Sequence, residues 1–149
     1  MPTRRLRLTE TSPAAAGTAA SAGVIPDLDK WESIMIVATL QGATGGALDI
    51  YLQVRTKEQD GQADEWIDYA HFPQLAAGAA SSVRVWSVSR SAQQLTLATV
   101  GKGTSPAITV NTILGGEFGS EMRVLFVAGV GTSLGAAQTI DVIGTRLKA

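Results

Sequence analysis

In several segments of this chain, hydrophobic and polar residues alternate with the period of two that is typical of β-strands. The alternation is clearest in residues 47–55 (ALDIYLQVR), in which every second residue is aliphatic. The pattern predicts a strand with one face in the core and the other face turned away from it. The aliphatic set comprises Leu48, Ile50, Leu52 and Val54, and the opposite set comprises Asp49, Tyr51, Gln53 and Arg55.

The chain also contains two segments of similar sequence. Residues 34–55 and 123–146 each hold an apolar strand, a turn of Gly, Thr and Ala, and an alternating strand. Near their centres, residues 38–47 (ATLQGATGGA) are similar to residues 128–137 (AGVGTSLGAA). We interpret the two segments as equivalent hairpins from two related halves of a β-sandwich.

About eight short strands are predicted in the folded part of the chain, and no long helix. Strands at this spacing are typical of a sandwich or a barrel. The predicted fold class is all-β, a jelly-roll-like β-sandwich of antiparallel strands, with an immunoglobulin-like sandwich as the alternative. The predicted strands cover residues 33–39, 47–55, 65–72, 82–89, 95–100, 107–113, 122–128 and 138–147.

The first residues are predicted to form an N-terminal arm. Residues 3–10 (TRRLRLTE) have a strand pattern with one wet face, and residues 11–23 (TSPAAAGTAASAG) are a low-complexity stretch typical of a linker. We therefore divide the chain into an arm and linker, residues 1–23, and a sandwich domain, residues 24–149. The arm is expected to pair with its own sheet or with a neighbouring subunit, and a disordered tail is the alternative.

Composition narrows the function classes. The 149 residues include no cysteine, which excludes disulfides, Cys-zinc sites and thiol nucleophiles. A formal net charge of −1 argues against a nucleic-acid partner, and the longest apolar runs are too short for a membrane helix. Charged residues make up only 17%, which suits a protein whose surface is covered by partners.

No catalytic set emerges from the candidate residues. His71 is the only histidine, and Asp68, three residues earlier, is expected on the opposite face of an alternating strand. Glu65 and Asp68 flank Trp66 in a way that superficially suits a sugar site or a glycosidase, but solvated strand residues are the simpler interpretation. We predict no enzymatic activity and no cofactor.

Metal binding is not expected either. Asp27 with Asp29, or Asp60 with Asp64, would offer carboxylate oxygens to calcium from a loop. Neither pair has the ligand density of an EF-hand loop, so both are interpreted as surface turns.

The aromatic residues have three competing roles: core filling, stacking on carbohydrate, and anchoring a subunit interface. Tyr51 and Trp86 are predicted on outer faces, as interface residues before sugar binders. Arginines in or beside strands are expected to pair with acids of a neighbour. The predicted interface residues are Arg4, Arg5, Arg7, Tyr51, Trp66, Arg84, Trp86 and Arg123.

Three stretches resemble small structural proteins of tailed-bacteriophage virions, in particular capsid decoration (cement) proteins. They are residues 34–53, residues 65–75 with W-I-D-Y at 66–69, and residues 122–147 with the turn G-x-G-T-S-x-G-A. The resemblance implies a sandwich assembled as a symmetric oligomer on a capsid, with terminal arms that lace neighbouring subunits.

The expected function is therefore a non-enzymatic virion protein that decorates and stabilises the capsid through subunit contacts and the N-terminal arm. Its partners would be the major capsid protein or other virion proteins and further copies of itself, with a trimer favoured. It would be made in the host cytoplasm and lie on the capsid surface, with the two small, uncharged turns at residues 41–46 and 129–135 against a protein neighbour. The alternatives are a carbohydrate-binding jelly-roll adhesion module and a neck or tail ring protein.

Overall fold

A computed structural model describes most of the chain. The described residues are 4–10, 19–40, 43–44, 46–56, 65–76, 78, 80, 82–91, 99–116, 118–129, 133–134 and 138–147.

These residues form eleven β-strands and one short 3₁₀ turn, Leu28–Lys30. Eight of the strands have seven residues or more, and three have only two. The strands are β1 Arg4–Glu10, β2 Ala19–Ile25, β3 Trp31–Leu40, β4 Ala43–Thr44, β5 Leu48–Thr56, β6 Glu65–His71, β7 Ser82–Ser89, β8 Thr112–Ile113, β9 Met122–Ala128, β10 Ser133–Leu134 and β11 Gln138–Leu147.

The strands build two principal antiparallel sheets. Sheet A has the order β1-β11-β3-β7, and sheet B has the order β2-β9-β5-β6-β8. A third, two-stranded piece joins β10 to β4. The two principal sheets share one hydrophobic core, which confirms the predicted all-β sandwich.

The order of the eight long strands is that of a jelly roll. Counted along the chain, sheet A contains the first, eighth, third and sixth long strands, and sheet B the second, seventh, fourth and fifth. First therefore pairs with eighth, second with seventh, third with sixth, and fourth with fifth, as in a long hairpin rolled into two layers.

The two similar segments, residues 34–55 and 123–146, do not form the two hairpins that the sequence predicts. β3 lies in sheet A and β5 in sheet B, so the first segment crosses between the sheets, and β9 and β11 do the same in reverse. The segments pair with each other instead, β3 with β11 and β5 with β9. Their turns also meet, since Ser133 lies opposite Thr44 and Leu134 opposite Ala43. The alternating pattern is the same for both arrangements, because a strand shows the same period whichever neighbour it has.

The N-terminal strand pairs with the protein's own sheet, which is one of the alternatives that the sequence leaves open. β1 pairs along its whole length with β11, from Arg4 opposite Gly144 to Glu10 opposite Gln138. β2, which begins within the predicted linker, pairs with β9. Both are strands of the sandwich itself, so the division at residue 23 is not a division of the fold. Residues 11–18 lie outside the described residues.

The core explains the alternating pattern. The aliphatic set of β5 is almost completely buried between the sheets, as predicted. Opposite it, sheet A contributes every second residue of β3 and β11. These core residues of sheet A are Ile34, Ile36, Ala38, Ile140 and Val142.

Two predicted strands differ in the structure. Of residues 107–113, only β8 is paired as a strand, and the residues before it cross the outer side of sheet B. Of residues 95–100, positions 95–98 lie outside the described residues, and residues 99 and 100 are not in a strand.

Arg90, just after β7, fastens one end of the sandwich. Its guanidinium donates to the main-chain oxygens of Trp31 (2.7 Å), Leu28 (2.8 Å) and Gly119 (2.6 Å). It also lies over the Phe118 ring, 3.9 Å from its centroid. One cation therefore satisfies carbonyl groups from the 3₁₀ turn, from β3 and from the loop before β9.

Gly144 of β11 lies directly beneath the indole of Trp31, and a β-carbon there would collide with the ring. We expect Gly144→Ala to displace Trp31 and to lower the free energy of unfolding by about 1–3 kcal/mol, since a close-packed core resists added volume. Urea unfolding measures the effect. Ser87→Ala, at an exposed position of β7, is the control and should change stability by less than about 0.5 kcal/mol. Equal stability of the two variants would contradict this packing.

Candidate functional site

The outer side of sheet B is covered by residues 99–114 of the same chain. Ile108 of this segment is buried against Tyr51 and Leu125, and the Leu114 amide donates to the Tyr69 oxygen at 2.8 Å. The face of β5 that the sequence predicts to lie away from the core is therefore buried as well, with Gln53 at 0% exposure. We call residues 99–114 the cover segment.

A β-bulge decides which β6 side chains face the cover segment. The register shifts between Leu52 and Gln53 of β5, because Leu52 lies opposite Ala70 and Gln53 opposite Asp68. The extra residue, Tyr69, enters the core beside Ala70. Asp68 and His71 therefore lie on the same outer face, and the expectation that they face opposite ways is wrong. Strict alternation fails at a bulge because one strand has a residue without an opposite partner.

Asp68 anchors the cover segment. Its Oδ2 accepts from the amides of Gly101 (2.8 Å), Ala107 (2.8 Å) and Ile108 (3.1 Å), and its Oδ1 accepts from Gln53 Nε2 (2.9 Å). The residue is fully buried. A carboxylate can be buried at tolerable cost only when donors surround it, and here four N–H groups do so.

Gly101 permits this close approach. A β-carbon at Gly101 would collide with main-chain atoms of Ser105, Pro106 and Ala107. The segment can therefore fold back onto the Asp68 carboxylate only with glycine at this position.

Gln53 links Asp68 to Arg123 by hydrogen bonds. Its Nε2 also donates to the Gly103 oxygen (2.9 Å), which leaves Oε1 to accept from Arg123 Nε (2.9 Å). Arg123 Nη2 donates to the same Gly103 oxygen at 3.0 Å, and the guanidinium lies over the Trp66 ring, 4.8 Å from its centroid. Burial lowers the pKa of Arg123, but a guanidinium keeps its charge at neutral pH.

Trp66 and Arg123 line an open cleft of about 480 Å³ at one end of the cover segment. Lys102 and Glu65 form an ion pair at 2.6 Å on its rim. We call this feature the Trp66 cleft. It is lined by Glu65, Trp66, Lys102, Gly103, Thr104, Ser105 and Arg123.

His71 holds the middle of the cover segment. Its Nδ1 lies 3.0 Å from the Ile108 oxygen and its Nε2 lies 3.1 Å from Asp49 Oδ1, while its ring stacks on Tyr51 at 4.0 Å. Gln74 donates to both oxygens of Asp49. Both groups beside the ring nitrogens are acceptors, and whichever nitrogen carries the proton donates to the Ile108 oxygen or to Asp49.

The structure brings two of the predicted interface residues together, Trp66 and Arg123. Tyr51 is on the outer side of its sheet, as predicted, but it is buried under the cover segment. Trp86 lies opposite Ile36 on the inner side of sheet A and packs edge-on against Phe72, so its predicted outward position is wrong. Its place in the core follows from the phase of β7.

The remaining predicted residues lie on sheet A. Arg84 is exposed on β7, and the three N-terminal arginines take register positions along β11. Arg4 lies opposite Gly144, Arg5 opposite Ile143 and Arg7 opposite Asp141.

The outer side of sheet A exposes apolar residues that are not among the predicted interface residues. Val83 and Val85 of β7 are 61% and 57% exposed, opposite Thr39 and Val37 of β3. The phase of β7 was the available signal, since burying Trp86 turns both valines outward. Within the described ranges, no strand pairs with the other edge of β7.

The structure describes one of the two candidate pairs of metal ligands, Asp27 with Asp29. Asp27 pairs with Lys30 at 3.0 Å, and Asp60 and Asp64 lie outside the described residues. Within the part of the chain that the structure describes, no three His, Asp or Glu side chains are grouped as metal ligands would be. No helix in that part is long and apolar enough to span a membrane.

Comparison with known proteins adds no relative: no family model, curated protein or solved structure matches the chain.

Replacing Asp68 by Asn is expected to loosen the cover segment. The new amide group would either face Gln53 Nε2 or replace the acceptor of three main-chain amides, and both arrangements leave buried donors without partners. We expect Asp68→Asn to lower the free energy of unfolding by about 3 kcal/mol and to speed hydrogen exchange at Gly101, Ala107 and Ile108. Glu65→Gln, at a half-exposed ion pair, is the control and should cost under about 1 kcal/mol. Unchanged exchange at the three amides would contradict the role of Asp68.

Alkaline pH should destabilise the fold through its tyrosines. Burial, with Asp49 and Asp68 adding to it, raises the pKa of Tyr51 from 10.0 to about 12, and burial also raises the pKa of Tyr69. The folded state thus holds the phenol proton more tightly, so this contribution to stability is intact below pH 10 and is lost as pH rises towards about 12. Thermal unfolding against pH, with phenolate absorbance, measures it. Tyr51→Phe should lose less stability over this range, and ionisation of native Tyr51 near pH 10 would contradict the prediction.

Proposed function

We propose that this chain is a non-enzymatic structural protein of a bacteriophage virion, which decorates the capsid and stabilises it through contacts made by the outer side of sheet A. The observation that carries this proposal is the pair of exposed valines, Val83 and Val85, on an edge strand of that sheet.

Exposed aliphatic residues on an edge strand favour a partner. An uncovered apolar edge is a site for unwanted strand pairing, and proteins usually blunt it with charge, proline or a covering segment. On β7 the exposed positions next to Arg84 are valines instead. The neighbouring positions Val37 and Met35 of β3 are half-buried, so the apolar surface extends from β7 onto β3.

Fold and composition support the same function. Jelly rolls are common among capsid and lectin domains. The low content of charged residues, 17%, suits a surface that partners cover. The resemblance of residues 34–53, 65–75 and 122–147 to virion proteins supplies the phage context.

The proposed role of the N-terminal residues differs from the lacing arm that the resemblance implies. Because β1 pairs with β11 of its own chain, residues 4–10 extend the edge of sheet A. Arg5 and Arg7 take register positions opposite Ile143 and Asp141 of β11. Positive charge along this edge strand would orient an acidic capsid partner.

The stabilisation would be mechanical. Each subunit that bridges two capsid proteins buries apolar area, and that area must be exposed again before the capsid proteins separate. Further copies of this chain around a local symmetry axis would multiply the effect, and a trimer fits a threefold junction of a shell.

Charge on the exposed valines is expected to prevent assembly. We expect the wild-type protein to form a homo-oligomer, with a trimer favoured, and the double variant Val83→Asp, Val85→Asp to be monomeric. Both positions are exposed, so stability of the monomer should change by less than about 0.5 kcal/mol per site. Light scattering after size exclusion gives the mass, and thermal unfolding verifies the fold.

Val110→Asp is the matched control, since Val110 is 42% exposed but lies in the cover segment, away from sheet A. It should assemble like the wild type. A wild-type monomer at every accessible concentration, or assembly that the double variant leaves intact, would contradict the proposed interface. Sixfold or twelvefold rings would point to the neck or tail instead.

A further inference from the structure

The Trp66 cleft lies on sheet B, whereas the proposed assembly face is the outer side of sheet A. The proposed assembly therefore does not involve the cleft. It combines an indole, a guanidinium, an ammonium, a carboxylate and two hydroxyl side chains in about 480 Å³, which is a usual size for a ligand pocket.

The cleft is held in shape from behind. Arg123 is fixed through Nε by Gln53 and through Nη2 by Gly103, and Gln53 is fixed in turn by Asp68. Gln53 and Asp68 are both 0% exposed. Two buried polar residues thus set the position of one arginine at the surface, as supporting residues do in preorganised binding sites.

Arg123 retains donors for a ligand. A guanidinium has five N–H groups, and the hydrogen bonds to Gln53 and Gly103 use two of them. No other acceptor for Arg123 occurs among the residues that the structure describes. Planar N–H pairs of this kind match the two oxygens of a carboxylate.

The other lining groups match a sugar ring. The Arg123 guanidinium lies over one face of the Trp66 indole, and the other face would present a negatively polarised, apolar surface to the C–H groups of a pyranose. The hydroxyls of Thr104 and Ser105 both donate and accept, as sugar hydroxyls do. Lys102 lies near enough to add a second positive charge for an acidic group, since it reaches Glu65 on the same rim.

Two other ligand classes fit less well. A peptide strand cannot be added to β6 here, because Gly103 already donates to the Trp66 oxygen and Lys102 already bridges to Ile67. A nucleic acid needs a row of basic side chains along its phosphates, and the cleft lining offers only Arg123 and Lys102.

We propose that the Trp66 cleft is a binding site for an acidic oligosaccharide, with a pyranose ring on Trp66 and its carboxylate on Arg123. Binding of this kind would attach the protein, or the particle that carries it, to an acidic surface polysaccharide.

Isothermal titration with hexagalacturonate, and with the neutral cellohexaose as comparison, tests this directly. We expect the acidic oligomer to bind the wild type and the neutral one to bind at least about tenfold more weakly. Trp66→Ala and Arg123→Gln should each weaken hexagalacturonate binding by about tenfold or more. Arg84→Gln, an exposed arginine on the other sheet, should bind as the wild type does.

Folding of each variant is verified by thermal unfolding. Lys102→Gln tests binding without a risk to folding, because Lys102 is exposed. It should weaken binding of hexagalacturonate a few-fold and leave stability unchanged. No binding of the acidic oligomer, equal binding of both oligomers, or binding that Trp66→Ala leaves intact would overturn the proposal. The double variant Val83→Asp, Val85→Asp should bind hexagalacturonate normally, so a failure of assembly and a failure of this site are distinguishable.

Discussion

The buried carboxylate of Asp68 organises one whole side of this molecule. Its two oxygens receive three main-chain amides of the cover segment and the side-chain amide of Gln53. Without a buried acceptor, those amides would be buried and unsatisfied. Packing of the segment on the sheet would then be unfavourable. The polar side of β5 thus becomes a second interior, held by hydrogen bonds where the first interior is held by apolar packing.

The network fixes the orientation of its side chains as well as contributing to stability. Because Asp68 is only an acceptor, the Gln53 amide must turn its nitrogen towards it, and its oxygen must then face Arg123. The guanidinium is thereby placed over Trp66. A surface feature is in this way determined by a residue that has no exposure of its own. Networks of this kind specify one arrangement, because each alternative leaves a buried donor unpaired.

The sequence predicted the layers of this fold better than its connections. Period-two alternation placed Leu48 and its aliphatic neighbours in the core, because burial of one strand face depends only on local pattern. It placed Asp68 wrongly, because the bulge at Tyr69 is set by packing between strands and leaves no local mark. It also turned Trp86 outward, since either phase of β7 puts apolar residues on one side. The Trp66 cleft joins residues from β6, β9 and the cover segment, and no spacing along the chain reveals such a meeting.

The interleaved strand order governs when the molecule can form. β11 lies between β1 and β3, and β9 lies between β2 and β5, so each sheet places a late strand between two early ones. During synthesis β1 and β2 must wait for their sheet neighbours β11 and β9, since pairing between distant strands is slow and requires both partners, whereas β3 and β5 can pair earlier with β7 and β6. Neither layer can close until β9 and β11 have emerged. Productive folding of this chain is therefore a late, concerted event, and a growing chain that stalls before β9 is the form most exposed to aggregation.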